Sequence, residues 1–301
     1  MIFKQLSRSR QGELFVLFSN LVWSFFPVIT ILTFNSIAPL FSLAFSTLVA
    51  ALFFSVVLTL RGDWKQMRVV SAWPSILLAT LFIGVIYYAL YFLGISRTTA
   101  GNASITNLFQ VFSSMAILRI WGKEVLTTSH IIGAVLIVFG AFIILFQGTF
   151  DVNTGSLLII VATFFTPVGN YFQQRAREKI SSAFLMFIRS LFSGLFLLAL
   201  ALFFLPFPSV DALKTSWVFI LINGFLLLGL SKLFFIESIH RIPITKSLAL
   251  GSVSPLFTII IAFFVLKEIP TLWQLAGFFP MFFGVLLLTD ITLLFSNKSL
   301  K

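Results

Sequence analysis

The sequence predicts an all-α integral membrane protein in which ten transmembrane helices form two inverted five-helix repeats. Three observations carry that expectation. The 301 residues are 59% hydrophobic and 10% charged, with mean hydropathy +1.09, which leaves too little polar surface to cover a soluble globule. Landmarks recur at one interval: Arg97, Lys123, Glu124, Gly133 and Gly140 return as Arg241, Lys267, Glu268, Gly277 and Gly284, each 144 residues on (241 − 97 = 144). The unit so repeated holds five apolar runs, and an odd number makes the second copy enter the membrane from the opposite face.

A bilayer-spanning helix needs ~20 mostly apolar residues, and ten such runs are legible, at 14–34, 37–60, 72–95, 99–120, 130–146, 155–174, 182–205, 215–237, 243–265 and 273–294. Residues 1–13 form a cytoplasmic N-terminal segment, 14–146 a first repeat, 155–294 a second and 295–301 a cytoplasmic tail. Lys4, Arg8 and Arg10 before helix 1 superficially resemble a secretory leader. The run from Leu14 to Phe34 is longer than the usual ~7–15-residue leader core and has no Ala-x-Ala site behind it, so it reads as a retained helix. That helix carries Asn20, Trp23, Ser24 and Pro27. Helix 3 holds Tyr87, Tyr88 and Tyr91, three of the four tyrosines, too far inside the run for interface anchoring. On helix 4, Asn107, Gln110 and Ser114 share one face at spacings of three and four, with Ala103 one turn before.

Helix 5 and helix 10 carry the spaced glycines of the two copies. Helix 6 offers Thr163, Thr166, Pro167 and Asn170, which match helix 1 if the interval there slips to 143, aligning Gly12 with Gly155 (155 − 12 = 143). The prolines Pro27, Pro167 and Pro255 free backbone carbonyls and can bend a helix where a gate needs it. Arg189 in helix 7, about as deep as Lys232, and Lys246, one turn into helix 9, fall in the cytoplasmic half, from which long basic chains can snorkel to headgroups. Lys232 in helix 8 stands ~10 Å from its cytoplasmic end at 1.5 Å per residue, and its repeat mate is Tyr88 (88 + 144 = 232). Glu237 is placed to pair with Arg241 one turn on. In helix 9, Gly251, Ser254 and Thr258 repeat the helix 4 stripe, with Ser247 one turn before. Matched polar stripes in hydrocarbon imply a hydrated centre between them, or else hydrogen-bonded helix packing.

The net charge of +11 is a topology signal rather than a nucleic-acid footprint. With the N-terminus inside, 14 of the 20 Lys and Arg fall on the cytoplasmic side and only Arg97, Lys214 and Lys267 outside. Both termini are then cytoplasmic in a multi-pass protein of the cell membrane. Cys is absent and His130 and His240 are the two histidines, so no disulfide, thiolate metal site or other resident cofactor is expected.

The stretch Ser252 to Phe257 ("SVSPLF"), the ending Leu266 to Glu268 ("LKE") and a last helix with spaced glycines resemble the EamA repeat of the drug/metabolite transporter superfamily. Leu108 to Phe112 ("LFQVF") and Gly122 to Glu124 ("GKE") stand in the corresponding places of the first copy, and the resemblance runs from about 14 to 294. Val111 replaces the proline seen as Pro255, so a symmetric pair of proline kinks does not follow. The resemblance implies export of small organic metabolites such as amino acids.

The residues themselves favour a secondary transporter working by alternating access. Its expected binding residues are Asn20, Trp23, Tyr88, Tyr91, Asn107, Gln110, Ser114, Asn170, Lys232, Gly251, Ser254 and Thr258. Its expected partners are a lipid bilayer and a small solute, anionic or zwitterionic because of Lys232. A passive channel is the alternative, yet no repeated ring of charges or carbonyl filter stands out. An intramembrane enzyme is less favoured: Asp63, Asp151, Asp211 and Asp290 sit in loops or at helix ends, and no H-E-x-x-H occurs. No G-x-x-x-x-G-K-[ST] loop is present, so energy comes from a gradient or an exchanged solute.

Overall fold

A computed structural model describes residues 7–121, 128–146 and 152–288. The Gly122–Glu124 motif, Asp151, Asp290, Lys4 and the tail 295–301 lie outside them. The described chain folds into ten helical segments: α1 Arg8–Phe34, α2 Pro39–Arg61, α3 Val70–Ile95, α4 in two pieces (Ala100–Thr106 and Phe109–Ile120), α5 Thr128–Phe146, α6 Thr154–Arg177, α7 Ser182–Phe204, α8 Val210–Ile239, α9 Ile244–Val265 and α10 Leu272–Leu288. Eight of them, all but α4 and α10, are long and apolar enough to cross a membrane. α4 is divided into seven and twelve residues, and 17 residues of α10 are described.

Local chemistry sets the helix ends. The side chains of Thr99, Asn153, Ser181 and Ser209 each accept the backbone N–H three residues on, supplying a donor at the start of a helix with its acceptor. α2 begins with Pro39 and ends at Gly62, whose φ of 68° suits a residue without Cβ.

The packing is two-fold. α2 lies along α7 and α5 along α10; α1 pairs with α8 as α6 pairs with α3, and α4 crosses α9. Exchanging the repeats maps this set of pairs onto itself. The α5–α10 contact makes the symmetry explicit. A Cβ at Gly140 would stand 2.5 Å from the Gly277 carbonyl oxygen, and one at Gly284 would stand 2.6 Å from that of Gly133. Since Gly133 and Gly277 are repeat mates, as are Gly140 and Gly284, these are one contact seen twice. It pairs ascending with descending numbers, so equivalent helices run antiparallel.

One expectation about the repeat needs correction. The match of helix 1 to helix 6 does not keep an interval of 143. Gly12 and Gly155 do occupy equivalent places, each pressed against the end of its partner helix, at Arg241 and Arg97 respectively. The turns that break the two helices fall at Ser24-Phe25 and Phe164-Phe165, an interval of 140 (164 − 24). The first piece of α1 is therefore three residues longer between its glycine and its break. The kinks of α4 and α9 are not a symmetric proline pair, as Val111 implied: α4 breaks at Asn107-Leu108 without a proline, at the place equivalent to the 3-10 turn Gly251–Val253 that precedes Pro255. Val111, the mate of Pro255, turns its N–H to the Leu108 carbonyl three residues back at 3.0 Å, so the backbone tightens as it does where the N–H is missing.

Candidate functional site

Six of the described helices depart from regular α geometry, and all six meet at one central cavity. α1, α4, α6 and α9 are interrupted as described. α3 and α8 widen into π turns over Thr80–Tyr87 and Asn223–Ser231, which end at equivalent residues (87 + 144 = 231). π turns are rare and cluster at functional sites. Here each hands over directly to a cavity residue, Tyr88 in one repeat and Lys232 in the other.

Backbone groups freed by the breaks are sealed by side chains from the helices opposite. Pro167 has no N–H for the Thr163 carbonyl, which instead accepts from Ser113 Oγ at 2.7 Å and Thr166 Oγ1 at 2.8 Å. The Ser24 carbonyl in the break of α1 accepts from Thr258 Oγ1 at 2.8 Å. Both seals run between a broken helix of one repeat and the crossing helix of the other.

Of the expected binding residues, the cavity wall includes Asn20, Trp23, Tyr88, Tyr91, Asn107, Gln110, Asn170, Lys232, Gly251 and Ser254, and of the expected hinge prolines Pro27 and Pro255. Ser114, Thr258 and Pro167 are not in the wall. Ser114 is buried, and Thr258 is held by Ser24 and Ser104. Gly251 earns its place by absence of a side chain: a Cβ there would stand 2.7 Å from the amide of Asn20.

The wall also takes residues that were not expected there, chiefly Gln173 and Arg189. Gln173 was legible as the next turn of the Thr166, Asn170 face, at spacings of four and three. Arg189 is 4% exposed and turns inward, donating to Gln173, whose own amide donates to Asn170 Oδ1 at 2.9 Å. Snorkelling toward the headgroups is thus overturned for Arg189. Lys246 departs from it too, since its Nζ donates to the Glu13 carboxylate at 2.8 Å in a largely buried pair.

Lys232 Nζ lies 3.1 Å from the centroid of the Trp23 ring and 5.6 Å from that of Phe235. Arg189 Cζ lies 6.0 Å from the Tyr88 ring, and Trp23 meets Tyr88 edge-on at 6.5 Å. The two cations therefore flank a pair of aromatic rings. Tyr87 donates to Asn107 Oδ1 at 3.2 Å and stacks on Tyr91. Among the described residues the wall contains Arg189 and Lys232 and no carboxylate. Amides, hydroxyls, ring faces and two positive charges suit a small solute with a negative group.

At the helix ends that the charge pattern puts in the cytoplasm, Glu237 joins three helices. It accepts from Arg241, as its spacing implied, and from Arg177 and Ser182. His240 beside it is pushed down to about 4 by burial and by Arg177 and Arg8, so it is neutral at neutral pH. At the opposite end the Glu268 carboxylate accepts the N–H groups of Ala100 and Gly101, which open α4. Among the described residues no group of His, Cys, Asp and Glu could hold a metal ion.

Comparison with known proteins agrees with this architecture. The model of the EamA-like transporter family matches residues 10–146 and 153–290. A protein of Methanothermobacter thermautotrophicus described as an uncharacterized transporter is 27% identical over 233 residues, 74% of this chain and 64% of its own length. The chain thus spans somewhat less than two thirds of that relative. A solved crystal structure, described only as that of a protein, superposes on 95% of this chain and all of its own with a TM-score of 0.68. At 15% identity, that likeness shows the fold alone.

Proposed function

The chain belongs to the EamA-like transporter family, and on that premise we propose that this membrane transporter is a secondary carrier. It moves small organic metabolites with a negative group, amino acids among them, outward across the cytoplasmic membrane by alternating access. In this reading all ten helices span, repeats 14–146 and 155–294 rock against each other, and both termini are cytoplasmic.

One observation carries the reading. The cavity lies between the repeats and is walled by three equivalent pairs of helices, α1, α3 and α4 from the first and α6, α8 and α9 from the second, with Arg189 of α7 added from the second alone. A site so placed is reached from either face by the same motion run in opposite senses. The breaks and π turns sit in those six helices and supply points where each can bend without losing its scaffold contacts.

Two measurements test this. Metabolites accumulating in the medium of cells making the protein are compared with those from cells making Lys232→Met at equal folded yield; carboxylate-bearing solutes should rise only with the native chain. Tags near Asn35 and Asp151 should be accessible from outside, and cytoplasmic accessibility at either would sink the inverted topology.

A further inference from the structure

We propose that the cavity is charge-gated. It closes only around an organic anion that neutralises Arg189 and Lys232, so the carrier exchanges anions, and small dianions, dicarboxylates or phosphate monoesters, are the best-matched class. This rests on the carrier reading above and sharpens its substrate from any solute with a negative group to one with net negative charge.

Among the described residues, the wall around the two cations has no carboxylate, and the acids nearest along the neighbouring helices are already engaged. Glu237, five residues beyond Lys232 on α8, is held by Arg177 and Arg241. Glu13 on α1 is held by Lys246. What does meet the cations is uncharged: Gln173 takes one of the five N–H donors of Arg189, and Trp23 offers Lys232 a ring face. A ring face attracts an ammonium through its quadrupole but leaves the net charge in place.

While the cavity is open, water and mobile ions screen both charges. Alternating access requires a closed intermediate from which most of that water has gone. Two uncompensated charges in such an enclosure are strongly unfavourable, and an anion seated between them removes the penalty. The loaded carrier can therefore close, and the empty one is held back. Its return leg needs a second anion, which is the definition of exchange. A dianion cancels both charges and a monoanion leaves one. A neutral zwitterion cancels neither in net terms, because it brings its own ammonium.

Purified full-length protein in liposomes tests this with labelled succinate and glycerol 3-phosphate. The opposite side holds succinate, benzoate, alanine or no solute, with chloride replaced by the bulky HEPES anion throughout. Uptake against internal succinate should exceed uptake into empty liposomes by about tenfold or more; benzoate should fall between, and alanine should match the empty case. Lys232→Met, or Lys232→Gln should the first fail to fold, should raise uptake into empty liposomes relative to exchange. Equal uptake with and without an internal anion would overturn the gate. Failure of both dianions to move would overturn the class, and if labelled alanine moves in the same liposomes the carrier reading survives alone. Because the chain has no cysteine, a Ser104→Cys reporter separates the remaining case. External labelling of Ser104→Cys that no solute alters, together with no flux of any probe, would count against the carrier reading itself.

Discussion

The two repeats share a backbone and differ in chemistry. Breaks, π turns and glycine contacts fall at equivalent places, yet Tyr88 in the first repeat faces Lys232 in the second, Phe45 corresponds to Arg189, and Asn107 and Gln110 correspond to Gly251 and Ser254. Amides come from both copies, but the first alone contributes phenols to the cavity, and the second contributes both cations and the small residues Gly251 and Ser254 of α9. In the alternating-access reading proposed above, the shared shape lets both halves move alike. In the same reading, divergence of the side chains gives the one site one cationic pole.

Backbone equivalence is most easily broken at the glycine pair. Gly140→Leu would drive a side chain into the Gly277 carbonyl and Gly284→Leu one into that of Gly133. Each should cost about 3 kcal/mol or more, read as loss of monodisperse folded protein and a lower Tm in detergent. The two losses should be alike, and a wide difference between them would show that the halves do not share the scaffold contact equally.

The chemical asymmetry comes next in size. Lys232→Met should lower transport of carboxylate-bearing solutes by about tenfold or more, with neutral solutes little affected. Lys232→Arg should retain part of the activity despite its different geometry. At the equivalent position Tyr88→Phe removes one hydroxyl and no charge, so a loss of only about two- to threefold is expected, on the order of one hydrogen bond. Equal losses at Tyr88 and Lys232 would erase the distinction between the poles.

Asn107 against Gly251 is a subtler pair. Asn107→Leu leaves the Tyr87 hydroxyl without its acceptor and removes an amide from the wall; transport should fall several-fold at near-normal yield, by about 1 kcal/mol. Gly251→Ala places a methyl where the Asn20 amide now lies, so it should weaken binding by narrowing the site. A drop in yield with unchanged transport per folded molecule, for either variant, would make these residues packing groups.

Much of the fold and of the cavity is legible in the amino-acid sequence, for reasons visible at particular residues. The 144-residue interval registers α2 to α5 with α7 to α10 because their landmarks are glycines at close contacts and charges at helix ends, which tolerate little drift. α1 and α6 escape that register because the stretch between glycine and break differs by three residues in the two copies. The stripe on α4 places Asn107 and Gln110 on the cavity, yet Ser114 and Thr258, one turn beyond Gln110 and Ser254, are buried out of the wall, Thr258 among Ser24 and Ser104 of other helices. The inward turn of Arg189 depends on Gln173 from another helix, and no spacing along one chain segment announces such a partner. The break of α4 shows the opposite limit: with Val111 in place of proline the sequence carries no sign of it, and Val111 still bonds the Leu108 carbonyl three residues back.

The smallest effects should come at the seals, where the repeats look alike but are not equally insured. Ser113 Oγ and Thr166 Oγ1 both donate to the Thr163 carbonyl, so Ser113→Ala still leaves one side-chain donor and should cost about 0.5 kcal/mol. Thr258 is the side-chain donor to the Ser24 carbonyl and also accepts from Ser104, and Thr258→Val deprives both at nearly constant volume. About 1–2 kcal/mol is expected there, the range for leaving buried polar groups unmet. Thermal unfolding of the two variants in the same detergent decides it. If Thr258→Val proved no worse than Ser113→Ala, the break in α1 would have to draw its donor from water in the cavity, and the second repeat would lose its stronger hold on the first.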